Sequence, residues 1–399
     1  MKDERRYDID ALRALAFGLL ILYHVGMYYV AGWPWHLKSP YAAEWLRWPM
    51  QFVNIWRMDL VFLVSGVAFG FLSRGESSLR LIGQRAWRLL LPLVFGMLVV
   101  VPYQAYAQAV ANGSVPPGFG AFMLRYWAQG PWPKGAFDGS DFGITWNHLW
   151  YLPYLFCYTA LLALLLPVLR SPHGLRLRAA FTGLRGWRLL LLPALPLALY
   201  TLTLAARFPA THDLIHDGYL HPLYFTVFLY GYWMGVDAGL WNELARLRRL
   251  SLALALGLVG LYFVARALPL DASTGAWLMR LLRALYLWTA IAAILGFAHR
   301  HLNRPWPWLR WANESVYPWY MLHQTLIILG AVLLARYELG PVMEPLMMVA
   351  FTALGCWMLT DGVIRRVGWM RPLFGLKPAE ARRSPARPAP VAVYLGSGE

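Results

Sequence analysis

Apolar runs long enough to cross a lipid bilayer recur along the chain, separated by segments that alternate between arginine-rich and arginine-poor. A hydrocarbon core about 30 Å thick requires about 20 helical residues at 1.5 Å each. The pattern predicts ten such helices, near residues 11–31, 53–73, 88–108, 147–168, 188–206, 222–240, 250–268, 277–298, 315–336 and 342–362. If residues 1–10 lie inside, the inner segments hold about 25 of the 36 Lys and Arg, and the outer ones about 10. The expected fold is therefore all-α: a polytopic integral membrane protein of about ten transmembrane helices, with both termini cytoplasmic.

Composition strengthens this reading. Hydrophobic residues make up 59% of the chain and charged ones 14%, a balance that a water-facing surface does not support. A net charge of +16 in a soluble protein points to nucleic acid, but here the excess follows the loops and reads as topological, so no nucleic-acid partner is expected. Trp (21) and Tyr (22) are abundant and many fall near predicted helix ends, where an amphipathic ring sits at headgroup level. Cys157 and Cys356 are the only cysteines, which excludes a disulfide framework and a four-cysteine metal site. The basic start and apolar run resemble a leader, but no small-residue cleavage site follows, and the first helix is read as retained.

Two stretches fall outside the helical pattern. Residues 109–146 are rich in Gly, Pro and aromatics and read as an external loop, either a substrate-facing lid or an ordered cap. Residues 377–399 are rich in Ala, Pro and Arg and read as a disordered basic cytoplasmic tail after a single transmembrane unit spanning 1–376.

Ionisable side chains inside the apolar runs are the candidates for chemistry. Arg13 and His24 are eleven residues apart, which returns them to one helix face about 16 Å apart, comparable to the reach of a pantetheine arm. Asp10 can orient Arg13 or cap the helix. Arg85 and Arg88, three apart at the start of the third helix, can meet one anion or anchor the positive inner face. Asp59 falls at the depth of His24 and can orient that imidazole, or pair with Arg57 at the outer interface. His148 opens the fourth helix and His323 lies within the ninth; each can line a tunnel or satisfy a packing contact. Arg280 and Arg283, on the outer part of the eighth helix, read as snorkelling to the interface or as recognising an anionic group. The HDLIHD stretch (His212, Asp213, His216, Asp217) has zinc-like His spacing but no third ligand, so no metal is expected. His299 and His301 read as loop residues. No phosphate-binding glycine loop or nucleophile elbow is present.

The Arg-x10-His helix, RMDLVFLVSGVAFGF (57–71), QRAWRLLLP with Arg85 and Arg88, NHLWYL, and NESVYPWYMLHQTLI together resemble the membrane acyltransferase 3 family over about residues 7–375. Gly296, His299 to Asn303, Asn313, Ser315 and His323 are most similar to its glucans biosynthesis protein C branch. The resemblance implies a bacterial inner-membrane enzyme that moves an acyl group, succinyl or acetyl, from cytoplasmic acyl-CoA to a hydroxyl of a periplasmic glucan or other envelope carbohydrate. Arg13, Arg85 and Arg88 would then hold the CoA phosphates and His24 would be the general base, with Asp59, His148 and His323 around it. The expected partners are membrane lipid, acyl-CoA and a carbohydrate acceptor. The rival reading is a transporter or flippase of an acyl donor, lipid or ion; an inverted repeat would favour it, and none is visible in the sequence.

Overall fold

The computed structural model describes residues 5–235 and 237–378. Its helices run in order: α1 (Tyr7–Tyr29), α2 (Arg47–Asn54), α3 (Arg57–Leu72), α4 (Ser78–Phe95), α5 (Pro102–Ala111), α6 (Phe119–Trp127), α7 (Tyr151–Leu169) and α8 (Pro172–Thr182). They continue with α9 (Trp187–Leu191), α10 (Ala194–Thr203), α11 (Leu220–Met234), α12 (Ala238–Ala267), α13 (Ala272–His301), α14 (Pro307–Leu334), α15 (Gly340–Leu359) and α16 (Met370–Leu373). Extended pairing among the described residues is limited to one bridge, Val30 with Ala43.

Eight helical runs are long and apolar enough to cross a membrane: α1, α2 with α3, α4 with α5, α7, α12, α13, α14 and α15. A ninth arises if α8 through α10, bent by 109°, form one span. The expected ten also counts α11, but its 15 residues span only about 22 Å. The chain is thus an all-α, multi-pass membrane protein of eight to nine long apolar helices among the described residues.

A backbone contact explains how so short a helix is held. Gly66 and Gly70 on α3 face Gly231 on α11 and Gly235 at its C-terminal cap, each pair spaced as in a small-xxx-small motif. A Cβ at Gly66 would sit 2.0 Å from the carbonyl oxygen of Phe228, and one at Gly231 would sit 2.0 Å from that of Leu63. Side chains are excluded from this crossing, so the two backbones touch. In lipid, where burial of apolar surface does not drive helix association, such close van der Waals packing does.

The central helices α3 and α13 are buried over most of their length, whereas α12 and α15 expose Leu256, Val264, Leu346 and Leu354 outward, as lipid-facing helices do. α1 packs along α14 and beside α3 and α13. Both its ends are tied. At one, the buried Asp8 carboxylate accepts from Arg6 and from His299 Nδ1 (2.7 Å). At the other, Lys38 Nζ donates to the free carbonyls of Met27 and Val30 at 2.6 and 2.7 Å.

Two expectations change, at α4 and at the end of α13, and of the two readings of 109–146 the ordered one fits. α4 begins at Ser78, so Arg85 and Arg88 lie two to three turns inside it, and the helix continues past Pro92 through a π-turn at Gly96–Val100 into α5. The 109–146 stretch is an ordered cap containing α6, with Phe122, Tyr126 and Phe137 as its own core. His299 and His301 lie in the last turn of α13, not in a loop. Of the stretch expected as a tail, only Lys377 and Pro378 are described; residues 379–399 lie outside the described residues.

Replacing Gly66 or Gly231 by Val is expected to lower the thermal stability of the detergent-purified protein, by about 1–3 kcal/mol or more, since a backbone oxygen cannot yield as a side chain does. The same change at Gly257, which has open space around it, is the control. Equal melting temperatures for all three variants would contradict the crossing.

Candidate active site

Two cavities lie in line inside the bundle. The larger, about 550 Å³, is lined by Arg13, Arg85, Arg88, Arg310, Arg371 and Lys377, with Glu314 the acidic side chain on its wall. Arg85 and Arg88 follow from the three-residue spacing on α4, which sets both guanidinium groups on one face. Neither side chain has a carboxylate partner among the described residues. Arg13, on α1, is held by Asn313 of α14, whose Oδ1 accepts from its Nε (3.1 Å) and Nη2 (2.5 Å). A cavity with several cations and so little counter-charge favours a polyanion.

The smaller cavity, about 150 Å³, is lined by His24, Arg57, Asp59, His148, His212 and Arg283. Phe17, Tyr151 and Tyr320 border both cavities. Their rings pack edge to face in all three pairings, at 5.4 to 6.2 Å between centroids. An aromatic septum therefore separates the arginine-rich cavity from the histidine-rich one. Tyr151 is tied to Ser65 by a 2.6 Å hydroxyl contact, and the Tyr320 hydroxyl donates to the His148 carbonyl at 2.6 Å.

Hydrogen bonding assigns the proton on each histidine. His323 Nδ1 lies 3.1 Å from the Trp319 carbonyl oxygen, which only accepts, so this nitrogen carries the hydrogen. His323 Nε2 is then a lone pair, and it accepts from His24 Nδ1 at 2.7 Å. The two rings lie side by side, centroids 5.0 Å apart and planes within 12°, as an in-plane N–H···N bond requires. It follows that His24 carries its hydrogen on Nδ1 and presents a bare Nε2, which has no hydrogen-bond partner among the described residues. His148 differs. Its Nε2 donates to the carbonyls of Tyr320 and Met321 (3.1 and 3.2 Å), and its Nδ1 accepts from the Gln104 amide at 3.3 Å. Both nitrogens are spoken for, so His148, edge-on to His323 at 5.0 Å, is a support.

The residues singled out in the sequence fall into these two groups: Arg13, Arg85 and Arg88 on one cavity, His24, Asp59 and His148 on the other, and His323 behind His24. Asp59 does not orient the imidazole of His24 by a hydrogen bond; His323 does. Nor does Asp59 pair with Arg57, which lies 3.6 Å above the Tyr23 ring and donates to Asn54 Oδ1 at 3.2 Å. Arg283 does not snorkel outward but lines the His24 cavity. The HDLIHD stretch is a capped turn: Asp213 accepts from the backbone of Ile215 and His216 and from the His216 ring, at 2.6 to 3.0 Å. Those contacts outweigh the effect of burial and hold its carboxylate below its usual range. Buried Asp217 accepts from Thr211 and His212, and His212 packs 4.2 Å from the Trp150 ring. No three metal-ligating side chains converge among the described residues.

Sequence reasoning missed the septum rings and the amide cluster behind His148. In that cluster Gln104 Oε1 accepts from Asn147 and Gln324, both at 3.0 Å, and Gln324 reaches His36 at 2.9 Å. Two glutamines inside apolar runs were the available signal.

A family model for an acyltransferase domain matches residues 6–361. Glucans biosynthesis protein C of Escherichia coli O6:K15:H31 (strain 536 / UPEC) is 26% identical over 165 residues, and its counterpart in E. coli K12 matches equally. The matched stretch covers 40% of this chain and 38% of each relative. No solved structure matches significantly. The match to the acyltransferase-domain model takes in Arg13, His24, Asp59, Arg85, Arg88, His148 and His323, and the chain belongs to that family.

Proposed function

We propose that the protein is an inner-membrane O-acyltransferase that passes an acyl group, succinyl or acetyl, from cytoplasmic acyl-CoA to a hydroxyl of a periplasmic glucan or related envelope carbohydrate. One observation carries the reading: unpaired arginines and a histidine with a bare ring nitrogen sit on opposite sides of one aromatic septum. The multi-pass architecture and the E. coli relatives support a bacterial inner membrane, and the arginine-rich loops support ten crossings with both termini inside. Residues 1–376 act as one unit in this reading.

Arg85 and Arg88, with Arg13, receive the phosphates of CoA, and Arg310, Arg371 and Lys377 add to the same field. The septum rings turn aside to admit the pantetheine arm, which brings the thioester carbon towards His24. His24 Nε2 takes the proton of the acceptor hydroxyl as its oxygen attacks that carbon. The tetrahedral intermediate collapses with cleavage of the C–S bond, and the imidazolium returns its proton to the departing thiolate. His323 Nε2, accepting from His24 Nδ1, keeps the ring in the required tautomer and stabilises it when charged. A base so placed contributes about 10²–10⁴ in rate.

His24→Gln is expected to lower kcat by about 10²-fold or more, while His323→Ala lowers kcat by about tenfold or more with little change in donor KM. Full turnover by His24→Gln in a steady-state assay contradicts the mechanism. On the donor side, Arg88→Ala is expected to raise the KM for acetyl-CoA about tenfold or more, the value of a lost charge-assisted hydrogen bond, yet to leave turnover of acetyl-pantetheine, which has no nucleotide phosphates, unchanged. Equal losses with both donors would remove Arg88 from phosphate binding.

A further inference from the structure

The His24 cavity holds polar groups that the mechanism leaves unused. Asp59 is only 3% exposed, and its Oδ1 has no hydrogen-bond partner, although an unsatisfied buried carboxylate oxygen is costly. Arg283 lines the same cavity and forms no hydrogen bond among the described residues. No ion pair joins it to Asp59. Arg57, by contrast, is already engaged by Tyr23 and Asn54. An acceptor and a donor thus line one small space beside the bare nitrogen of His24, each without a hydrogen-bond partner among the described residues.

The chemistry of an occupant is narrowed by both. A carboxylate is repelled by Asp59, an ammonium by Arg57 and Arg283, and an apolar group leaves both polar groups unsatisfied. A hydroxyl meets both needs, donating to Asp59 Oδ1 and accepting from the Arg283 guanidinium. The remaining walls include the rings of Trp150 and Tyr224, stacked 24° apart, which suit the apolar face of a sugar. At about 150 Å³ the cavity is well below the ~300–1,000 Å³ of sites for drug-sized ligands, which selects one ring over an oligosaccharide.

We infer that this cavity is the acceptor subsite for a single pyranose ring, one hydroxyl facing His24 Nε2 and a neighbouring hydroxyl bridging Asp59 and Arg283. Asp59 is then a specificity residue for the acceptor, not an orienter of the base. The outer wall is set by the 211–217 turn: Asp217 holds the backbone of His212 at a φ of +57°, placing its ring against Trp150. This inference rests on His24 acting on an acceptor hydroxyl.

The test uses the purified full chain, acetyl-CoA or succinyl-CoA as donor, and methyl β-D-glucopyranoside with its 2-, 3-, 4- and 6-deoxy analogues as acceptors. In the wild type, one deoxy analogue other than that of the acylated position is expected to lose about tenfold or more in kcat/KM. In Asp59→Asn and in Arg283→Lys that penalty shrinks to about twofold or less, because the partner of the missing hydroxyl is already weakened, while acetyl-CoA affinity by calorimetry is unchanged. Equal penalties in wild type and variants overturn the assignment, as does donor binding by the wild type with no transfer to any glucoside. Failure of the wild type to bind either acyl-CoA, or full turnover by His24→Gln, instead overturns the transferase reading itself. If Asp59→Asn does not fold, Arg283→Lys carries the comparison alone.

Discussion

The hydrogen bond from His24 Nδ1 to His323 Nε2 is the contact on which the rest of the site depends. It exists because α1 and α14 run side by side through the bundle, and because the Trp319 carbonyl fixes the proton on the far nitrogen of His323. A second link between the same helices, Arg13 to Asn313, lies about 16 Å away along α1. The two links set the register of α1 on α14. A slip of one residue along α14 would swing His323 by about 100° and Asn313 with it, so His24 and Arg13 would lose their partners together.

A membrane enzyme with reactants on opposite sides must let one group through without opening a channel for water and ions. Under the proposed function, the aromatic septum answers that constraint. Phe17, Tyr151 and Tyr320 close the path in the resting state, and each is anchored to an element that also carries chemistry: α1 with His24, α7 beside His148, α14 with His323. Three edge-to-face contacts, each worth about 0.5–1.5 kcal/mol, are weak enough for an incoming arm to displace one at a time. The backbone contact of α3 with α11 does the opposite and makes a rigid wall beside the cavity, since Gly66 and Gly231 leave nothing to repack.

What was legible in the sequence was whatever a single helix encodes. The period of α1 puts Arg13 and His24 on one stripe, and the spacing on α4 pairs Arg85 with Arg88. Contacts between distant helices were not legible. No helical period announces that His24 bonds a residue 299 positions away; the family resemblance groups His323 with His24, but the spacing alone offered Asp59, at matching depth, as the orienter. Arg283 looked like an interface residue because the facing of α13 towards His24 is a tertiary fact. The short α11 reads as an ordinary span until its Gly231 and Gly235 are matched with Gly66 and Gly70 on another helix.

The central claim is that donor and acceptor meet at His24 from opposite sides of the membrane. It is tested most directly in liposomes that hold the protein in one orientation, with acyl-CoA and a glucan each supplied in a chosen compartment. The account predicts acylated glucan only when acyl-CoA is on the side of Arg85 and Arg88 and the glucan is on the other. Equal product with acyl-CoA supplied on the His24 side, or with both reactants confined to either side, would contradict it.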